Sequence, residues 1–154
     1  MDYHSRYCIM FPAGKKGDNI EFLNNFETNL KANFRYWVDN TSMTPKIDQC
    51  KATQYIEQYD AAINTCIFHQ RGDRSVQAHM NEVVWHLQSL VERQGIITER
   101  LDCLLFSVAA AGIYRIRKGD KDYFQADQAF FTYWLETFSP KVSTNNVINL
   151  NQFR

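Results

Sequence analysis
Proline and glycine are scarce in this chain, three and six residues out of 154. Few breakers leave room for long regular segments. Pro45, Gly72, Gly95, Gly119 and Pro140 punctuate the chain at intervals suited to long helices with short connections. No apolar run reaches the roughly 18–20 residues of a membrane span, so no membrane association is expected. The N-terminus lacks a basic start followed by a long apolar stretch and a small-residue cleavage site, so no secretory signal is expected either. Net charge is also absent: 17 Lys+Arg balance 17 Asp+Glu, which argues against coating nucleic acid by bulk charge. Cysteine is sparse and widely spaced (Cys8, Cys50, Cys66, Cys103) with no C-x-x-C, and the expectation is reduced, buried thiols. There is no internal repeat and no low-complexity tract.

Hydrophobic residues make up 45% of the chain and aromatic residues 14%, which excludes a disordered chain and indicates one compact, cytoplasmic domain. The expected organisation is a single helical domain over 1–154: an extended or loop segment 1–17, a five-helix bundle 18–139 and a tail 140–154. Asp18, with Glu21 three residues later, forms a capping-box pattern. Behind it Ile20, Leu23, Phe26, Leu30, Phe34, Trp37 and Val38 recur at helical spacing, predicting a first helix over about 19–39. Thr44-Pro45 predicts the start of a second, carrying Ile47, Tyr55, Ile56, Tyr59, Ile63, Cys66 and Ile67. A third is expected between Asp73 and Gly95, on Val76, Met80, Val83, Val84, Leu87, Leu90 and Val91.

A fourth helix is expected from about Thr98 to Lys118, with Leu101, Leu104, Leu105, Val108 and Ile116 on its main face. It is apolar almost all round from Leu104 to Ile113, so it is read as the central helix, and Ala109-Ala110-Ala111-Gly112 would let neighbours approach closely. A fifth is expected from about Lys121, behind Asp120, to Phe138, where Ser139-Pro140 stops it. Tyr7–Phe11 and Val147–Leu150 are read as extended or irregular. The fold class is all-α, an antiparallel bundle of about five long helices with short irregular or extended termini.

Catalytic signatures are missing. There is no H-E-x-x-H, no Walker loop (Gly14-Lys-Lys-Gly17 is too short), no G-x-S-x-G and no G-x-G-x-x-G. No cofactor is expected, and the sequence favours a non-enzymatic role. Three constellations remain. His79, Glu82 and His86 fall within roughly 60° of one another on a helix and could share a metal, as in a metal-dependent enzyme or carrier. Their order is the reverse of the Glu-x-x-His of di-metal bundles, however, and no second carboxylate helix is evident. Cys66-x-x-His69 shares a face, yet has no orienting partner and reads as a buried thiol beside an end-of-helix imidazole. Arg115, Arg117, Lys118 and Lys121, with Lys15 and Lys16, concentrate positive charge that could touch phosphates in a nucleoprotein complex, although basic residues at a helix C-terminus also answer the macrodipole.

Most informative are the aromatics left over once each helix has one apolar face. Phe22 and Tyr36 lie roughly opposite the main stripe of the first helix. Trp85 sits among Asn81, Gln88 and Glu92, and Tyr133 lies off the Phe131/Trp134/Phe138 stripe. Trp and Tyr are enriched at binding hot spots. The leading expectation is therefore an interaction module (adaptor, inhibitor, immunity factor or small subunit) that buries Phe22, Tyr36, Trp85 and Tyr133 against another protein, or against a second copy of itself. The tail KVSTNNVINLNQFR is polar but carries Val147, Ile148 and Leu150, enough to dock on the bundle or elsewhere.

Overall fold
The computed structural model describes residues 1–2, 4–12, 14–42, 46–63, 73–116, 119 and 121–140. They form five helices and one small antiparallel ribbon: α1 (Asn19–Asn40), α2 (Gln49–Ala62), α3 (Arg74–Gln94), α4 (Arg100–Ala111), β1 (Tyr114–Arg115), β2 (Phe124–Gln125) and α5 (Ala126–Thr137). The all-α class is as expected. α1 packs on α2, α4 and α5, whereas α3 packs principally on α4.

Local chemistry sets several ends. The Asp18 carboxylate accepts from the Glu21 N–H at 2.8 Å, and Asp73 accepts from the N–H groups of Ser75 and Val76 at 2.8 and 3.0 Å. Gly95 closes α3 at φ 91°, a conformation that glycine adopts without strain. α2 starts later than Thr44-Pro45 suggests: Asp48 caps it by accepting from the Lys51 N–H at 2.8 Å. Residues 43–45 and 64–72, which include Cys66 and His69, lie outside the described residues, as does the whole of 141–154. The late start leaves Cys50 exposed on the first turn of α2, contrary to the expectation of buried thiols, while Cys8 and Cys103 are buried and free.

The fourth and fifth helices are shorter than expected. Both yield residues to the ribbon, in which Tyr114 pairs with Gln125 and Arg115 with Phe124. Gly112, a poor helix former, stands where α4 stops. α4 does touch α1, α3 and α5, but its buried face is not the predicted one. Cys103, Phe106, Ser107, Ala110 and Ala111 are buried, whereas Leu101 and Leu105 are exposed. The small side chains face inward because something must pass close to them. That something is the N-terminal segment: the Met10 N–H donates to Ser107 Oγ at 2.8 Å, and Ser107 Oγ donates to the Cys103 carbonyl at 2.8 Å.

The segment before α1 is therefore part of the core. Ser5, Arg6, Tyr7 and Cys8 are all buried. A tight turn anchors them: Asp2 Oδ2 accepts from the Ser5 N–H at 2.6 Å and from Ser5 Oγ at 2.7 Å, while Arg6 takes φ 59°, uncommon for a residue with a Cβ. Tyr7 joins the larger hydrophobic cluster with Leu30, Phe34, Val38, Ile56, Tyr59, Phe130, Phe131 and Trp134. Cys8, one residue on, joins a smaller cluster with Val83, Phe106 and Ala110. Successive side chains of an extended segment point to opposite sides, which lets one strand of chain join two clusters. At the centre of the larger one, Phe34 stacks on Trp134 at 4.3 Å, and Trp134 stacks on Tyr59 at 5.0 Å.

Candidate binding groove
The aromatic core is open along one side. A groove of about 420 Å³ runs between α1, α5, the C-terminal end of α2 and the N-terminal segment. α1 supplies Phe22, Phe26 and Leu30, successive positions four residues apart that stack along one face. α5 supplies Phe130, Tyr133, Trp134 and Phe138, α2 supplies Tyr59 and its cap Ile63, and the N-terminal segment supplies Met1, Asp2, Tyr7, Ile9 and Phe11. Asp2 is the only charged side chain among the described residues of this lining. Both the volume and the apolar lining suit a ligand site.

The floor is rigid. Tyr7 stacks on Phe130 at 4.2 Å; its hydroxyl donates to Asn33 Oδ1 at 2.7 Å and accepts from Trp37 Nε1 at 2.8 Å. The Asn33 amide in turn donates to the Asn29 carbonyl at 2.7 Å. Burial keeps the Tyr7 phenol well above its ordinary pKa, so it stays protonated and able to donate. Burial likewise raises the Asp127 carboxyl in the first turn of α5, against two backbone hydrogen bonds that lower it. The rim is softer: Phe22 packs edge-on to Phe11 at 5.4 Å yet remains 44% exposed, and Tyr133 is 42% exposed. Tyr133 forms a ridge, with His4 stacked on its other side at 6.5 Å over a second cleft that includes Gln125, Gln128, Thr132 and Glu136.

Of the four leftover aromatics, the structure brings together Phe22 and Tyr133. Tyr36 is half-buried edge-on to Trp37 at 5.3 Å, four helical turns further along α1 than Phe22. Trp85 is 62% exposed on α3, which supplies nothing to the groove lining. The four therefore do not make one surface. Spacing alone missed Phe11, Phe26, Phe130 and Phe138: Phe26 and Phe138 sit on stripes that read as core, Phe130 is one of many aromatics on the fifth helix, and Phe11 falls in the segment read as extended or irregular. The crowding of aromatics on α5 was the available signal, since one helix face cannot bury them all.

The other two constellations resolve differently. Arg115 is 2% exposed; its guanidinium donates to Glu82 Oε2 at 2.7 Å and to the Ala110 carbonyl at 3.3 Å, so it is withdrawn from any phosphate. Lys15, Lys16 and Lys121 are exposed, and Arg117 and Lys118 lie outside the described residues. Glu82 Oε2 is engaged by the Arg115 guanidinium, whose positive charge competes with a metal ion for that carboxylate. Burial, with Arg115 and Arg6 nearby, outweighs Glu82 and lowers the His79 pKa. Among the described residues no three His, Cys, Asp or Glu side chains are placed to hold a metal ion. No helix of the described residues is long and apolar enough to cross a membrane.

No curated protein and no solved structure matches the chain. A family model does match, over residues 1–129, which takes in the buried N-terminal segment and α1 but ends before Phe130, so most of the α5 wall lies beyond it. The chain belongs to this family, the domain of unknown function DUF6933.

Proposed function
We propose that the chain is a non-enzymatic interaction module whose aromatic groove takes up a short apolar segment of another protein, in the manner of an adaptor, an inhibitor or a small subunit. The observation that carries this reading is the open groove itself: an apolar cavity of about 420 Å³ with a hydrogen-bonded floor and two large, partly exposed aromatics at its rim. A floor that is already ordered loses little freedom on binding. Phe22 and Tyr133 still have surface to bury, and aromatic rims of this kind are where binding energy concentrates. The volume admits a few side chains, so the ligand is a short apolar or aromatic stretch. A basic flank would suit Asp2. The phosphate and metal readings have no comparable support, given the engagement of Arg115 with Glu82.

Panning a displayed peptide library on the intact chain tests the reading. Apolar and aromatic sequences should be enriched. Their affinity should fall at least tenfold in Phe22→Ser and stay unchanged in Trp85→Ala. Enrichment of peptides that ignore Phe22 and require Trp85 would contradict it.

A further inference from the structure
We infer that the cleft on the far side of Tyr133 is the second half of the binding site: a partner segment anchored in the groove by an apolar side chain lays a lysine or arginine in this cleft, its charged head against Glu136. The inference rests on the reading of the groove as a peptide site and adds what that site selects. Its first support is continuity. Tyr133 lines both depressions, and the N-terminal turn borders both as well, giving Asp2 to the groove and His4 and Ser5 to the cleft. Between the two stand the rings of Tyr133 and His4, 6.5 Å apart and 18° from parallel. Both residues are exposed, so a chain leaving the groove crosses them straight into the cleft.

The second support is the chemistry of the cleft, whose volume is about 520 Å³. Phe124 and Ala129 supply apolar surface, while Gln128, Thr132 and Glu136 stand in a row along α5, four residues apart. Lysine and arginine carry a long apolar stem beneath a charged head, which matches an apolar cleft bordered by a carboxylate. The third support is charge. Among the described residues of the two linings there is no Lys or Arg, and the acids are Asp2 and Glu136. Glu136 is exposed, so its carboxylate meets a cation without first being stripped of water. Gln128 Nε2 donates to Gln125 Oε1 at 2.8 Å, which orders two amides where a crossing backbone needs hydrogen-bond partners. In an extended segment residues i and i+2 share a face and lie ~7 Å apart. That arrangement drops one side chain on either side of a single ring, so the basic residue stands two positions from the apolar anchor.

The test pans one displayed random-peptide library on the full-length chain and, in parallel, on its Glu136→Lys variant. The wild-type pool should carry Lys or Arg two positions from an apolar anchor, and the variant pool should carry Asp or Glu there with the same anchor. Fluorescence anisotropy at low ionic strength then compares the tightest wild-type peptide with its Lys→Gln or Arg→Gln counterpart. Neutralising the peptide should weaken binding to wild type about threefold, ordinary for an exposed ion pair, and leave binding to Glu136→Gln unchanged. Added salt should shrink the difference. The same loss on wild type and on Glu136→Gln overturns the inference, as does a loss that vanishes in Asp2→Asn instead, which would give the charge to the groove's own acid. Pools that need Phe22 but show no basic residue at a fixed distance overturn this inference and leave the groove intact; if no peptide depends on Phe22, both readings fail.

Discussion

Replacing Tyr7 by Phe removes one oxygen atom and leaves the stacking on Phe130 in place. That oxygen accepts from Trp37 Nε1 and donates to Asn33 Oδ1, at 2.8 and 2.7 Å. The two partners differ in what happens next. Trp37 is half-buried and can find water, but Asn33 is 0% exposed and its carbonyl oxygen is left without its donor. A buried group stranded in this way costs about 1–3 kcal/mol, so Tyr7→Phe should destabilise the chain by roughly 2 kcal/mol. For a domain of this size that corresponds to a fall of about 4–8 °C in Tm. Urea unfolding should show the midpoint moving with an unchanged slope, because the same surface is exposed on unfolding. Combining Tyr7→Phe with Asn33→Ala should cost less than the sum of the two, the signature of a direct coupling. A Tyr7→Phe variant within about 0.5 kcal/mol of wild type would refute the claim that the segment before α1 belongs to the core.

Trp85→Ala removes a side chain that is 62% exposed, and unfolding titrations should place it within about 0.5 kcal/mol of wild type. The Arg115–Glu82 pair should respond asymmetrically, because Arg115 is buried and the Glu82 side chain is 42% exposed. Glu82→Ala strands a buried cation and should cost about 2–3 kcal/mol, whereas Arg115→Met leaves only a hydrated carboxylate and should cost less. The folded protein holds His79 below its ordinary pKa of 6.5, so the unfolded chain binds more protons as pH falls through that value. Stability should therefore decline between pH 7.5 and 5.5, and His79→Gln should flatten that part of the profile measured by chemical denaturation.

What could be read in the sequence was whatever is decided within a turn or two of chain. Asp18 with Glu21, Asp73 and Gly95 mark their helix ends by contacts to neighbours three or four residues away. α2 shows the limit of that logic: Thr44-Pro45 and Asp48 both carry start signals, and the sequence does not rank them. The ribbon was invisible because Arg115 and Phe124 pair across a gap that reads as helix from either side. The buried Arg115 guanidinium, bonded to Glu82 on α3, is a long-range event that pattern alone reads as a surface charge. The same reason hid the N-terminal segment, whose Ser5 and Arg6 look like solvent-exposed residues until Asp2 turns the chain inward.

The site was half legible. Phe22 and Tyr133 stand off their helical stripes, and the structure places both on one groove. Trp85 stands off its stripe as well, but α3 carries it to a different face. Helical phase tells which side of one helix a residue occupies and says nothing about which sides of two helices meet. The remaining lining, from Phe11 to Phe138, belongs to an aromatic core left open on one side, a property of how α1, α5 and the N-terminal segment are spaced.

The most direct measurement is side-chain NMR of the aromatic rings during titration with a groove-binding peptide selected on the intact chain. The account predicts that the resonances of Phe11, Phe22, Phe26 and Tyr133 shift together and saturably, while Trp85 and the α3 face stay unchanged. Shifts centred on Trp85, with the groove rings silent, would contradict it.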